Sequence, residues 1–145
     1  MRKILIATSN TEKFTEIIAE LDDLQFDFVN LKNLKLDKFE VDEPHDTTWQ
    51  NALEKAKFFA KKSGLITIAE DTGLFIKYLN GEPGVKSKRY GATALEKIKK
   101  VLEKLNGVPD KKRGAYFETA GCVYNPHTNT FSIFFGKVKG LITKK

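Results

Sequence analysis

Apolar and polar positions follow two different periods in the first part of the chain. Residues 3–8 form a short apolar and β-branched run, which is typical of a buried strand. Residues 11–21 then place apolar side chains at helical spacing, from Phe14 to Leu21. Apolar positions alternate over residues 24–31, which predicts a second strand. The chain is therefore predicted to open as a strand, a tight polar loop, a helix and another strand.

Capping and breaking residues set the bounds of the next helix. Pro44 disfavours a helix in the polar segment that precedes Thr47. Either Thr47 or Thr48 can cap a helix that runs to about Lys62 and ends at Gly64. Two apolar runs follow, residues 65–69 and 74–79, and they predict two strands separated by a polar turn.

The remaining segments complete an α/β pattern. Thr93 can cap a third helix, which ends before Gly107. Residues 115–124 and 130–138 predict two strands, and the turn-forming residues 125–129 between them indicate a β-hairpin near the C-terminus. Strands mixed with helices in this order predict a single α/β domain over residues 1–145, with a mixed β-sheet flanked by helices.

Composition narrows the classes of function. The 145 residues, 41% of them hydrophobic, suffice to bury the core of one domain. The net charge of +6 favours anionic partners, although solubility alone explains it equally well. The one dense basic cluster, Lys97, Lys99, Lys100 and Lys104, has Glu96 and Glu103 among its lysines, which indicates a solvated helix face and disfavours nucleic acid as a partner. The single Cys122 favours a reducing, cytoplasmic setting, and no apolar run approaches the length of a membrane span.

The loop Thr8–Lys13 is the first candidate site. It joins the first strand to the first helix, where free backbone N–H groups and a positive partial charge suit a phosphate. Thr8, Ser9 and Asn10 can add polar contacts, and Lys13 can reach the same anion. An ordinary capping box between Ser9 and Glu12 is the alternative interpretation.

The second helix carries the next candidate. Asn51 and Lys55 are four residues apart and share one face, so an amide and an ammonium can hold the same phosphate oxygen. A solvent-facing pair is the alternative interpretation of this spacing.

The segment Glu70–Gly73 carries the strongest chemical signal. Two adjacent carboxylates, Glu70 and Asp71, follow an apolar strand, where they repel each other unless a cation or a proton intervenes. One carboxylate can bind a magnesium ion while the other takes a proton from water. A turn stabilised by Asx hydrogen bonds is the alternative. A fourth, weaker candidate is the Gly/Pro loop Gly81–Gly91, which could close over a polyphosphate.

Taken in order, these segments resemble the inosine triphosphate pyrophosphatase family across nearly the whole chain. The family's Thr-Ser/Gly-Asn-x-x-Lys loop is matched by Thr8–Lys13, and its Glu-Asn-Ala-x-x-Lys-Ala helix by Gln50–Ala56. Its Ala-Asp/Glu-Asp-Ser/Thr-Gly-Leu motif is matched by Ala69–Leu74, and its Gly-x-Pro-Gly-x-x-Ser-x-Arg-Tyr motif by Gly81–Tyr90. A Gly-x-x-x-Gly-x-Ile stretch follows at Gly136–Ile142.

The resemblance implies a function and a role for each candidate residue. It implies Mg²⁺-dependent hydrolysis of the non-standard purine triphosphates ITP, dITP and XTP to a monophosphate and pyrophosphate, in a cytoplasmic enzyme that is expected to form a homodimer. Asp71 is implied as the general base. The implied metal ligands are Glu43, Glu70 and Asp71. The implied substrate-binding residues are Thr8, Ser9, Asn10, Lys13, Asn51, Lys55, Thr72, Ser87 and Arg89.

Some positions depart from the family pattern. The usual Glu-Thr-Gly is Glu43-Pro44-His45, the helix Glu is Gln50, and Lys88 stands where the pattern has Ala. Family members also continue with a Gly-Phe-Gly-Tyr-Asp-Pro-like loop and a Ser-His-Arg element associated with gripping the base, and neither follows here. If these 145 residues are the entire chain, we expect weak base selection or weak binding. A nucleotide-binding relative with little or no activity is the first alternative function, and a basic nucleic-acid-binding module is the second.

Overall fold

The computed structural model describes residues 2–144 and forms a mixed sheet with helices around it. The elements, in chain order, are β1 (Lys3–Ile6), α1 (Thr11–Glu20), β2 (Asp27–Asn30), α2 (Thr48–Ser63), β3 (Ile66–Ile76), β4 (Pro83–Gly84), α3 (Ala94–Lys104), β5 (Gly114–Asn125) and β6 (Thr130–Leu141). Three short 3₁₀ turns, Lys77–Leu79, Ser87–Arg89 and Asp110–Lys112, lie between them.

The sheet has a parallel half and an antiparallel half. Its strand order is β2-β1-β3-β5-β6, with the two-residue β4 paired to β3. β1 runs parallel to β2 and β3, whereas β3 with β5, and β5 with β6, are antiparallel. This arrangement confirms the predicted α/β class, mixed sheet and C-terminal hairpin. The second strand is shorter than predicted and covers only Asp27–Asn30.

The prediction of two strands separated by a turn around Glu70–Gly73 is wrong. β3 is a single 11-residue strand, and every residue from Thr67 to Ile76 faces a partner in β5. Asp71 pairs with Ala120 in the middle of this ladder. The neighbouring strand supplies the backbone hydrogen bonds that a polar turn would otherwise need, so the Asx-turn interpretation is also excluded.

Helix α2 covers one face of the sheet, and its ends follow the predicted capping chemistry. The Thr47 hydroxyl accepts a hydrogen bond from the Gln50 N–H, and Gly64 ends the helix in the left-handed conformation with φ of 73°. A face of small residues with one aromatic ring packs on β3 and β5. The buried members of this core include Leu5, Ala52, Ala56, Phe59, Ala69, Ala120 and Cys122.

A second, smaller core lies beneath α3. It contains Ile76, Val101, Leu105, Val108 and Ala115. Among the helices within residues 2–144, none combines the length and apolarity needed to cross a membrane.

Gly73 lies where β3 and β4 approach each other most closely, and this contact yields a stability prediction. A Cβ at Gly73 would lie 2.6 Å from the carbonyl oxygen of Gly84, which is backbone and cannot move aside cheaply. We expect Gly73→Ala to lower the free energy of unfolding by about 1–3 kcal/mol. Urea denaturation measures the change.

Gly136→Ala is the matched control, because nothing lies within 4 Å of its added Cβ. It should alter the free energy of unfolding by no more than about 0.5 kcal/mol. Equal effects of the two substitutions would contradict the close approach of Gly73 and Gly84.

Candidate active site

The loop between β1 and α1 forms the first wall of the candidate site. Asn10 caps α1, and its Oδ1 accepts a hydrogen bond from the Lys13 N–H at 3.1 Å. The Thr8 hydroxyl accepts one from the Asn10 N–H, also at 3.1 Å. The proposed capping box between Ser9 and Glu12 is therefore wrong, because the helix begins one residue later than that box requires. The loop directs the positive end of α1 towards the site.

Asn51 and Lys55 extend from α2 towards the sheet, so the solvent-facing interpretation is wrong. Asn51 is completely buried. Its Oδ1 accepts the His45 N–H at 3.0 Å, and its Nδ2 donates to Asp71 Oδ2 at 3.4 Å. The Lys55 ammonium donates to the Glu70 carbonyl oxygen at 3.4 Å. Burial, followed by the nearby charge of Lys88, lowers the pKa of Lys55.

Glu70 and Asp71 lie on opposite faces of the sheet, because successive side chains of a strand alternate. Glu70 forms an ion pair with Lys13, and its second oxygen accepts a hydrogen bond from Thr72 at 2.9 Å. Burial alone would raise the pKa of Glu70, but the hydrogen bond and charge of Lys13 lower it. The Glu70 carboxylate is therefore ionised and already paired.

Asp71 is in a different electrostatic state. It is 1% exposed, and its Oδ1 is the one buried side-chain nitrogen or oxygen in the described chain that lacks a hydrogen-bond partner. Burial, followed by the negative charge of Glu43, raises the pKa of Asp71 to about 6. An unpaired buried carboxylate oxygen is unfavourable unless a cation, a proton or a ligand occupies the space in front of it.

Glu43 faces two ammonium groups. Its Oε1 lies 3.8 Å from the Nζ of Lys55 and 3.5 Å from the Nζ of Lys88. The Arg89 guanidinium donates to the backbone carbonyl of Glu43 at 3.1 Å. Lys88 was absent from the predicted site residues, as were Glu40 and Asp42, which line one cavity with Lys88. The position of Lys88 among three basic residues after a Gly/Pro loop was the available signal.

A cavity of about 570 Å³ brings most of these residues together. The predicted residues in its wall are Thr8, Ser9, Asn10, Lys13, Glu43, Lys55, Glu70 and Arg89. Asn51 and Asp71 are not part of this wall.

Two predicted residues point elsewhere. Ser87 accepts a hydrogen bond from the Leu74 N–H at 2.9 Å and so ties its loop to β3. Thr72 lies 2.7 Å from the Thr119 hydroxyl on the neighbouring strand. The structure does not bring either hydroxyl into the cavity wall.

Two acidic residues of the site, but no larger group, are suited to bind a metal cation. No group of three or more His, Cys, Asp or Glu side chains in residues 2–144 is arranged to hold a metal ion. Mg²⁺, however, is commonly held by one or two carboxylates and completes its shell with water and phosphate oxygens. Glu43 and the unpaired Oδ1 of Asp71 provide such a pair, whereas Glu70 is occupied by Lys13.

Comparison with known proteins places this site in a family. A dITP/XTP pyrophosphatase from Thermoanaerobacter sp. (strain X514) is 41% identical, with 97% of this chain and 71% of that protein covered. A dITP/XTP pyrophosphatase from Escherichia coli O157:H7 is 37% identical, with coverage of 100% and 75%. The solved HAM1 protein of Coxiella burnetii superposes with a TM-score of 0.91 at 34% identity, over 100% of this chain and 75% of that one. These similarities confirm the resemblance found in the motifs. The sequence profile of the Ham1 family matches residues 4–145, and the chain belongs to that family.

Proposed function

We propose that this protein hydrolyses non-standard purine nucleoside triphosphates (ITP, dITP and XTP) to the monophosphate and pyrophosphate, with Mg²⁺ as its cofactor. One observation carries the proposal: the buried Asp71, with one oxygen unpaired and a raised pKa, interacts electrostatically with Glu43, Lys88 and Lys55, which line one cavity. Relatives at 41% and 37% identity bear the name dITP/XTP pyrophosphatase. A cytoplasmic location and a homodimer remain predictions from the resemblance.

The polyphosphate would bind at the end of α1. Backbone N–H groups of the loop and the side chains of Thr8, Ser9 and Asn10 offer neutral donors, and the helix dipole adds a positive partial charge. Lys13 and Lys55 flank the same cavity and can neutralise phosphate oxygens. Because Lys13 is paired with Glu70, phosphate binding would share or replace that ion pair. Arg89 borders the cavity from the opposite loop.

Glu43 and Asp71 would hold the magnesium ion. Glu70, the third predicted ligand, would join them only after release from its ion pair with Lys13. When bound, the ion supplies neutralisation of phosphate charge and polarisation of the phosphoryl oxygens. Thr72 and Ser87, which lie outside the cavity wall, remain predicted substrate contacts.

Asp71 is suited to act as the general base. It would take a proton from a water molecule while the water oxygen forms a bond to the α-phosphorus. The bond between that phosphorus and the α–β bridging oxygen then breaks, and the bridging oxygen leaves with pyrophosphate. Without a bound metal, burial and the charge of Glu43 raise the pKa of Asp71 to about 6, so this carboxylate accepts a proton more readily than an ordinary aspartate does. The Asn51 amide donates to Oδ2 and so helps to fix the orientation of the Asp71 carboxylate.

The direct test is pyrophosphate release from ITP, XTP, ATP and GTP, with and without Mg²⁺. We expect release from ITP and XTP that requires the metal. Asp71→Asn should lower kcat by about 10²–10⁴-fold, because the amide cannot accept the proton. Asp46→Asn, the same chemical change at an exposed position, should leave kcat unchanged.

Two outcomes would contradict this proposal. Retained turnover in Asp71→Asn would remove Asp71 from the role of base. Binding of ITP by folded, magnesium-supplied protein without pyrophosphate release would instead favour a nucleotide-binding protein that lacks activity.

Lys55 should contribute mainly to binding. Lys55→Met removes a largely buried ammonium from the cavity, so we expect KM for ITP to rise about tenfold or more. Lys61→Met, on the exposed side of the same helix, should change KM by less than about twofold. Steady-state kinetics at saturating Mg²⁺ measures both values, and equal effects would show that only the net charge of the protein matters.

Asp71 should also lower stability when no metal is bound. Its pKa is higher in the folded state than the ordinary value of about 3.9, so ionisation of this group favours unfolding. Asp71→Asn should therefore raise the free energy of unfolding by roughly 1–3 kcal/mol at pH 8. The gain should be full above about pH 6 and should disappear below about pH 4, where both states are protonated.

Urea denaturation in EDTA at pH 4, 6 and 8 measures this gain. Asp46→Asn again serves as the control and should show no such pH dependence. A destabilised Asp71→Asn variant at pH 8 would contradict the unpaired state of Oδ1.

A further inference from the structure

Lys88 contacts the carboxylate that the proposed function assigns to the metal. Its ammonium lies 3.5 Å from Glu43 Oε1, and the Lys55 ammonium lies 3.8 Å from the same oxygen. The Glu43 side chain is only 14% exposed, so these two cations provide most of its charge compensation when no metal is present. A divalent cation that binds Glu43 must compete with them.

We propose that Lys88 acts as a tethered competitor of the divalent cation at Glu43 and so sets the metal affinity of the site. This inference rests on the proposed metal centre of Glu43 and Asp71. Neither the motif resemblance nor the predicted site includes Lys88, and the family pattern has Ala at this position.

Lys55 and Lys88 differ in how easily each side chain can move away from the Glu43 carboxylate. The Lys55 side chain is 16% exposed, and its ammonium also donates to the Glu70 carbonyl at 3.4 Å. The Lys88 side chain is 54% exposed and lies in the loop between β4 and α3. Moving Lys88 into solvent therefore requires little loss of packing, whereas moving Lys55 would disrupt its packing and break its hydrogen bond to the Glu70 carbonyl. Lys88 is the cation that a metal would displace.

The charge of Lys88 affects Lys55 and Asp71 as well as Glu43. Of the charged neighbours of Lys55, Lys88 has the largest effect and helps burial to lower the Lys55 pKa. Lys88 also opposes the rise in the Asp71 pKa that burial and Glu43 produce. A metal ion between Glu43 and Asp71 would experience the same ammonium as a repulsive charge. Competition for Glu43 and repulsion of the ion therefore act in the same direction.

The loop does not depend on the Lys88 side chain for its position. Arg89 donates to the backbone carbonyl of Glu43, and Ser87 accepts from the Leu74 N–H. Neither contact uses the Glu43 carboxylate. Removal of the Lys88 charge should therefore leave the cavity in place, and a thermal melt of each variant verifies its folding.

The experiment measures binding of Mn²⁺ itself, from the loss of the free-ion signal in electron paramagnetic resonance, without nucleotide. Lys88→Gln should bind Mn²⁺ about three- to tenfold more tightly than the original protein, the range expected for loss of one partly exposed charge contact. Lys88→Arg keeps the charge and should bind within about twofold. Lys86→Gln removes the same net charge from an exposed position in the same loop and should also stay within about twofold.

The double variant Lys88→Gln/Glu43→Gln tests whether Lys88 acts on the Mn²⁺ affinity through the Glu43 carboxylate. If Glu43→Gln retains measurable Mn²⁺ binding, Lys88→Gln should change the affinity less in that background than in the original protein, because the competition for the carboxylate is gone and only the repulsion between the ammonium and the ion remains. Unchanged or weaker binding by Lys88→Gln would overturn the inference, as would an equal gain in Lys86→Gln.

The same titration separates failure of this inference from failure of the proposed metal centre. If the original protein binds Mn²⁺ and loses it in Glu43→Gln, but Lys88→Gln has no effect, only the role of Lys88 fails. If neither the original protein nor Lys88→Gln binds Mn²⁺, the metal centre fails as well.

Discussion

The continuous ladder between β3 and β5 is the constraint on which the candidate site depends. Each residue from Thr67 to Ile76 has a partner in β5, so no turn relieves the two adjacent acids. Strand alternation then directs Glu70 towards α1 and Asp71 towards α2. The two carboxylates consequently experience different surroundings, and their pKa values shift in opposite directions. A turn, as first predicted, would have left both acids solvated and chemically similar.

The acidic side chains around the cavity differ in how closely basic side chains compensate them. Near α1, Lys13 satisfies Glu70 directly and keeps it ionised. Nearer α2, Lys55 and Lys88 approach Glu43 only to 3.8 and 3.5 Å, beyond hydrogen-bonding distance. Asp71 receives one amide hydrogen bond from Asn51 and nothing at Oδ1. The directly paired Lys13 and Glu70 suit the positioning of a phosphate. The less completely compensated carboxylates, Glu43 and Asp71, suit an exchangeable cation.

The sequence predicted those features that depend on residues close together in the chain. The ends of α2 followed from Thr47 and Gly64, because a cap is satisfied within a few residues of chain. The continuity of β3 could not be predicted in the same way, because its hydrogen-bond partners in β5 are about 50 residues away along the chain. The same limit applies to Lys88, whose meeting with Glu43 depends on how two loops fold against each other. The motif order identified the family but not these contacts.

Asp71 connects the fold to the proposed chemistry. The core around it is well packed, and its neighbours Ala69 and Ala120 are buried apolar residues. Such an environment raises the free energy of the ionised carboxylate, and the structure compensates only one of its two oxygens. Any cation that binds there gains affinity by relieving this state, and by linkage the same binding stabilises the fold. The unfavourable ionisation of Asp71 and its proposed role in binding a cation therefore have one physical origin.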